Sequence, residues 1–288
     1  VGPAGGAAAA GHGVSPGAPR VNVLRLLQAH GIRPDTDLGQ HFLVDENLVD
    51  LSLRAAGVTA GDVVLEVGAG PGVLTAALAR AAGTVHAVEL DRRMAPMLGE
   101  AVAGLGDVRL HWGDAMRLDL EALDPAPTLL VANLPYAIAT PLVADSTWRL
   151  PALRGWCVMV QREVADRWLA PPGSPAYGAP SVLLQLSTRA TFRRNVGREV
   201  FAPPPRVDSA LVALARTGPG APPAVRALVR AAFAQRRKTL ANTLGAAGAD
   251  RAAVRACLDR LGLPPTARAE DLAPPAFARL AEELRWTA

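Results

Sequence analysis

Strand–helix alternation from Asp62 to Leu169, a glycine-rich turn directly after the first of those strands, and helical periodicity alone beyond Pro223 predict an α/β chain. The expected architecture is a doubly wound, Rossmann-like sheet followed by a small all-helical C-terminal domain. Strands covered on both faces read as continuous apolar runs, and Val63-Val64-Leu65 and Leu129-Leu130-Val131 do so.

The composition permits this. At 288 residues, half of them hydrophobic, the chain can build one large domain, or a domain of roughly 200 residues with a small one beside it. The apolar content is Ala, Val and Leu, with Ile32 and Ile138 the only isoleucines, and Lys238 is the only lysine. That is a bias of overall composition and carries no functional signal. A formal charge of +4 and a pI near 9.8 favour a polyanionic partner. Cys157 and Cys257 lie in apolar contexts and read as core residues of a protein in a reducing cytoplasm. The histidines form no metal-ligand pattern, and no metal is expected. No apolar run reaches the ~18 residues that a membrane span needs.

In chain order, residues 1–20 are mostly Gly, Ala and Pro and predict a disordered tail without the features of a signal peptide. Residues 21–30 form a short amphipathic helix stopped by Gly31. The segment Leu38-Gly39-Gln40-His41-Phe42-Leu43 has no period. It is either a loop packed on a ligand or a lead-in whose Phe42 plugs the core. A helix follows over 46–56. Strands are expected over 62–67, 84–89, 108–112, 128–132 and 155–160, with helices over 72–82, 92–103, 140–150 and 162–169. The breaker-rich stretch 170–180 is a loop. A helix from Ser181 then leads to a strand near 191–196, the Phe201–Arg206 proline run is a stiff link, and 209–215 is the last strand. A Gly/Pro linker at 217–223 is the expected boundary between domains at 21–216 and 217–288, with helices over 224–235, 237–244, 250–261 and 275–284.

Ligands of open parallel sheets bind outside the carboxyl ends of the strands, and three successive ends carry suitable groups. The turn Glu66-Val67-Gly68-Ala69-Gly70-Pro71-Gly72 opens a helix, with Gly68 and Gly70 positioned for close backbone approach. Val73 stands where the dinucleotide fingerprint wants a third glycine, so a nucleoside with an amino-acid end, S-adenosylmethionine, fits better than a pyrophosphate. Glu89 is placed for both ribose hydroxyls, and Asp114, beside Ala115, for an adenine amine. A further strand ends in Asn133-Leu134-Pro135-Tyr136. There the Asn133 amide oxygen and the Leu134 carbonyl can accept from an exocyclic amine while the Tyr136 ring covers a flat base. Pro135 ends the strand because it has no N–H to give.

These segments, in this order, resemble the ribosomal RNA adenine N6,N6-dimethyltransferases, most strongly the bacterial branch acting on the small subunit. The likeness runs from Leu38 to the end and includes Gln161-Arg-Glu163, Tyr177-Gly178, Phe201-Ala-Pro-Pro-Pro-Arg-Val-Asp-Ser209 and Ala232-Phe-Ala-Gln-Arg-Arg-Lys-Thr-Leu240. It implies a class I S-adenosylmethionine-dependent methyltransferase that dimethylates two adjacent adenosines in the 3′-terminal hairpin of 16S rRNA. The implied setting is an immature small subunit in the cytoplasm, with a monomeric enzyme. By resemblance, His41 and Leu43 line the methionine end of the cofactor, Gly68 its backbone, and Asn133 lies between cofactor and base. Phe201 is then a second stacking platform. Arg236, Arg237 and Lys238, expected on a helix, then contact phosphates, against the competing reading of a solvated face. Two departures stand out: His41 where the family often has Asn, and Ala137-Ile138-Ala139-Thr140 after the tyrosine. A 23S rRNA methyltransferase of the antibiotic-resistance type and a non-catalytic assembly factor are the competing functions.

Overall fold

A computed structural model of the chain describes residues 23–36 and 38–287; the expected tail and the first residues of the first helix lie outside them. Nine strands are present among the described residues: β1 (Phe42–Leu43), β2 (Val63–Val67), β3 (Thr84–Glu89), β4 (Asp107–Trp112), β5 (Leu129–Asn133), β6 (Gly155–Gln161), β7 (Thr188–Val196), β8 (Phe201–Ala202) and β9 (Ser209–Arg216). The helices are α1 (Val23–Ala29), α2 (Glu46–Ala56), α3 (Val73–Ala81), α4 (Ala95–Val102), α5 (Tyr136–Arg149), α6 (Arg162–Trp168), α7 (Ala179–Gln185), α8 (Pro223–Phe233), α9 (Leu240–Ala246), α10 (Arg251–Arg260) and α11 (Pro274–Glu283).

Seven strands form one sheet in the order β4-β3-β2-β5-β6-β9-β7, parallel from β4 to β6. Only β9 runs against its neighbours, inserted between β6 and β7. The strand order reverses between β2 and β5, so their carboxyl ends open the crevice that such a switch point creates. Each continuous apolar run serves two cores. In β5, Leu129 and Val131 face the layer of α2 and α3, while Leu130 and Ala132 face the layer of α5 and α6. Helices therefore cover both faces, as expected of a doubly wound sheet.

The helices after Pro222 enclose a core of Val225, Leu228, Leu244, Phe277 and Leu280, which also takes in Tyr177 and Val182. The segment joining β9 to α8 is tied down at both ends. The Arg216 guanidinium donates to the carbonyls of Thr147, Leu150 and Leu153 and lies over the Trp156 ring. Arg226 sits 3.9 Å above the centre of Trp148.

Two boundaries differ from the sequence reading in ways that matter. Helix α5 begins at Tyr136 rather than 140, because Pro135 at its N-cap leaves the strand and enters a helix with its φ already set. Arg236, Arg237 and Lys238 lie in the turn between α8 and α9, not on a helix. Thr239 has extended backbone angles, so the helical period is broken there despite residues compatible with its continuation.

Candidate active site

At the switch point a cavity of about 260 Å³ is bordered by residues 38–42, 67, 68, 70, 88–91, 113–115 and 133–138. The folding of these segments onto one another explains the glycines. Gly68 has φ +81°, and a Cβ there would meet the Pro135 ring at 3.1 Å. Gly70 has φ +54°, and a Cβ would strike the Phe42 ring at 2.9 Å. Phe42 is thus buried as the core-plug reading expects, and its ring is also part of the cavity wall.

Glu89 ends β3 and is almost fully buried. Its Oε2 accepts from the Gly70 amide at 2.7 Å and its Oε1 from the Asp91 amide at 2.8 Å. Burial draws its pKa upward, against the pull of these backbone donors. The carboxylate keeps acceptor capacity for a further donor. Asp114 is partly exposed; its Oδ1 caps the Met116 amide at 2.9 Å, and Ala115 lies buried beside it.

Asn133 is oriented by its own hydrogen bond. Its Nδ2 donates to the His41 carbonyl at 2.9 Å. A carbonyl only accepts, so the amide is fixed with Oδ1 as its remaining acceptor. The neighbouring Leu134 amide donates to Met159 O at 3.2 Å, and its carbonyl receives no donor among the described residues outside regular structure. The Tyr136 hydroxyl is bonded to Ser209 Oγ at 2.7 Å, which fixes the ring.

The segment carrying His41 is clipped in place from the far side of the sheet. β1 pairs with β8, Leu43 opposite Phe201, and His41 Nδ1 is bonded to Pro203 O at 2.8 Å. Leu43 is buried under this clip and is not on the cavity border. Nor is Phe201, which is 3% exposed and packs in the core with Leu43. The structure therefore brings together His41, Gly68, Gly70, Glu89, Asp114, Ala115 and Asn133–Tyr136, and keeps Leu43 and Phe201 behind the wall. Arg236, Arg237 and Lys238 lie elsewhere: Arg236 donates to the carbonyls of Pro175 and Tyr177 and pairs with Glu270 at 3.1 Å, while Arg237 and Lys238 are exposed.

Sequence reasoning missed Gln40, Leu90 and Asp91. Gln40 Nε2 donates to Asp91 Oδ2 at 2.7 Å, linking segments 51 residues apart, and its Oε1 accepts from the Asp35 amide at 2.7 Å. The Arg93 guanidinium beside Asp91, with Gln40 adding to it, holds that carboxyl down at about 2. Leu90 is 54% exposed at the cavity edge, and an apolar residue following a strand-end acid was its only signal.

Glu66, behind the glycine turn, is 1% exposed; burial, with the charge of Glu89 adding to it, pushes its carboxyl up to about 8. Its Oε2 and the buried Thr75 hydroxyl have no partner at ordinary hydrogen-bond geometry among the described residues, although the Thr75 hydroxyl is close enough to pull the carboxyl partly back down. Between the ordinary value of 4.5 and about 8 the folded chain keeps a proton that the unfolded chain releases, so stability falls as pH rises through that window. Glu66→Gln keeps the neutral form. Its melting temperature is expected to match the unaltered chain near pH 4.5 and to exceed it increasingly up to pH 8. A gap that does not grow with pH would remove this assignment.

Comparison with known proteins agrees with the geometry. The family described as "Ribosomal RNA adenine dimethylase" matches residues 32–285. Ribosomal RNA small subunit methyltransferase A of Rubrobacter xylanophilus is 49% identical over 250 residues, 86% of this chain and 94% of that protein. The protein of the same name from Thermobifida fusca is 46% identical over 274 residues, with coverage of 91% and 94%. Among solved structures, a dimethyladenosine transferase from Plasmodium falciparum superposes with a TM-score of 0.72 at 26% identity, covering 85% of this chain and 98% of that one. The 23S rRNA methyltransferase ErmE gives 0.64 at 26% identity, with coverage of 85% and 99%.

Proposed function

The chain belongs to the ribosomal RNA adenine dimethylase family, and from that premise we propose that it transfers methyl groups from S-adenosylmethionine to N6 of two adjacent adenosines in the 3′-terminal hairpin of 16S rRNA. The observation that carries the reading is the Asn133 amide, whose Nδ2 is spent on His41 and whose Oδ1 is left as an acceptor beside the Leu134 carbonyl. Two acceptors at a strand end suit an amine with two N–H groups.

The residues present fit the cofactor. Glu89, held by two amides, keeps lone pairs for a ribose diol, and exposed Leu90 offers an apolar edge for a purine. Gly68 lies on the cavity border, where its backbone can meet the ligand, and Asp114 can accept from an adenine amine. When bound, S-adenosylmethionine supplies an electrophilic methyl group on a sulfonium.

Adenine N6 is a poor nucleophile because its lone pair is delocalised into the ring. Asn133 Oδ1 and the Leu134 carbonyl, by accepting its two hydrogens, favour a pyramidal nitrogen with its lone pair directed away from them. That is orientation and electrostatics, and no side chain with a matched pKa is required. The alkylated nitrogen is acidic and loses its proton to water. A stacked base cannot reach these acceptors, so the target is splayed out of the RNA and covered by Tyr136. Use of Phe201 as a second face requires its ring to turn out of the core.

Arg237 and Lys238, exposed in the α8–α9 turn, are proposed to meet phosphates, whereas Arg236 serves packing. Replacing Arg237 and Lys238 with Ala should weaken small-subunit binding and flatten its log–log salt slope by roughly 1.4–1.8. Arg236→Ala should instead lower the melting temperature. An unchanged slope in the double variant excludes this turn from the RNA footprint.

Mass spectrometry of 16S and 23S rRNA fragments from cells with and without the protein tests the reaction itself. Dimethyladenosine lost from 16S alone is the expected result; loss from 23S supports the resistance-type reading, and no loss from either overturns methyl transfer to rRNA.

A further inference from the structure

We propose that the β7 edge of the sheet is a phosphate track. Arg189, Arg194 and Arg198 hold the RNA backbone that flanks the target adenosines and lead it to the Asn133–Tyr136 corner. This rests on the reading above, that ribosomal RNA is the substrate. β7 pairs only with β9, and of its nine residues only Thr188 and Val196, at its ends, are buried. From Thr188 to Arg198 the chain carries four arginines and no acid, as much charge as the formal excess of +4 over all 288 residues.

The strand is built so that two of these cations share a face. Arg189 stands opposite Ala215 and Arg194 opposite Leu211, positions that the alternation of β9 puts on one side of the sheet. Five positions apart, they would point opposite ways in a regular strand. A bulge between Ala190 and Phe192 supplies the extra residue that brings them into line, about 13 Å apart by strand rise. Arg198 follows in the turn after β7, three residues before Phe201 of β8 pairs with Leu43. The last residue of β7, Val196, is opposite Ser209, whose Oγ holds the Tyr136 hydroxyl. The edge therefore runs up to the corner that takes the base.

All three side chains are exposed, and none forms an ion pair among the described residues; Glu199, next in sequence, pairs with none of them. Their neighbour Arg193 differs, because it points to the other face and pairs with Asp166 of α6. An edge strand also needs charge to keep other strands from pairing with it. The opposite edge of the sheet meets that need with both signs, since Arg109 of β4 pairs with Asp107 at 2.9 Å. β7 offers one sign only. A row of unneutralised guanidiniums, each a planar fork of donors, suits phosphates. Such contacts position a strand and carry no base information, so the choice of adenine stays with residues 133–136.

The test replaces Arg189, Arg194 and Arg198 with Ala in the full chain, and with Lys in a second variant. Binding to undermethylated small subunits and to protein-free 16S rRNA is measured at several salt concentrations. The Ala variant should flatten the log–log salt slope by roughly 2.1–2.7, and at about 0.1 M salt it should bind at least about tenfold more weakly. The Lys variant should keep the slope, and calorimetry should give both variants the S-adenosylmethionine dissociation constant of the unaltered chain. Melting curves identify any loss of fold. A slope left unchanged by the Ala variant overturns the track, and light scattering that shows aggregation beside it marks the arginines as guards of the edge. If the Lys variant flattens the slope as far as the Ala variant, charge is not the cause and the track falls. A loss seen with subunits but not with protein-free rRNA assigns the edge to a ribosomal protein and overturns it as well. Failure of the unaltered chain to methylate any ribosomal RNA would count against the reaction, not against the track.

Discussion

Asn133→Ala is expected to lower the single-turnover rate of methyl transfer by roughly a hundredfold or more, the effect of removing one preorganised polar contact. The cofactor dissociation constant should change little, because the lost Oδ1 acts on the target amine. The substitution also removes the Asn133 side-chain donor from the His41 carbonyl, so a melting curve has to accompany the kinetics. Asn133→Asp separates the effects. It keeps an acceptor in place but turns the contact to His41 O from a donor–acceptor pair into two facing acceptors. A rate for Asn133→Ala near that of the unaltered chain would remove Asn133 from the chemistry.

Glu89→Ala carries the second large effect. Its carboxylate should accept from two ribose hydroxyls, and hydrogen bonds to charged groups contribute about 1.5–3 kcal/mol each. Affinity for S-adenosylmethionine should fall at least about tenfold in a calorimetric titration. The same carboxylate also receives the Gly70 and Asp91 amides, so part of the loss is that of the glycine turn coming away from β3. Glu89→Gln keeps an acceptor on one oxygen and should lose less. An unchanged dissociation constant for Glu89→Ala would mean that the nucleoside lies elsewhere.

Most of the sheet was readable because its information is local. The apolar run 129–132 must be buried on both faces, and the strand ends at 89, 114 and 133 carry polar groups where the topology allows a ligand. What the sequence hid depends on distant partners. Gln40 reads as a loop residue until Asp91 is brought beside it, 51 positions away. Phe201 reads as an available ring until Leu43 pairs with it and the core closes over both. The glycines at 68 and 70 were expected for ligand approach, yet Pro135 and the Phe42 ring already occupy the space that a Cβ would need. Arg236-Arg237-Lys238 continues the helical composition of its neighbours, and only the extended backbone at Thr239 reveals the turn.

The place of β9 has a consequence for the order in which the molecule comes into being. β7 is made before β9 but pairs with nothing else in the sheet, so on the ribosome it waits as an unpartnered strand until residues 209–216 have emerged. Tyr136 waits as well, because the hydroxyl that holds its ring belongs to Ser209, 73 positions downstream. The nascent chain can lay down β2 to β6 and their helices in sequence, but the wall of the cavity is not braced until β9 slides between two strands already made. The corner from Asn133 to Tyr136 is thus among the last parts of the sheet to become rigid, and a chain cut before Ser209 would carry all four residues without the anchor that holds the ring.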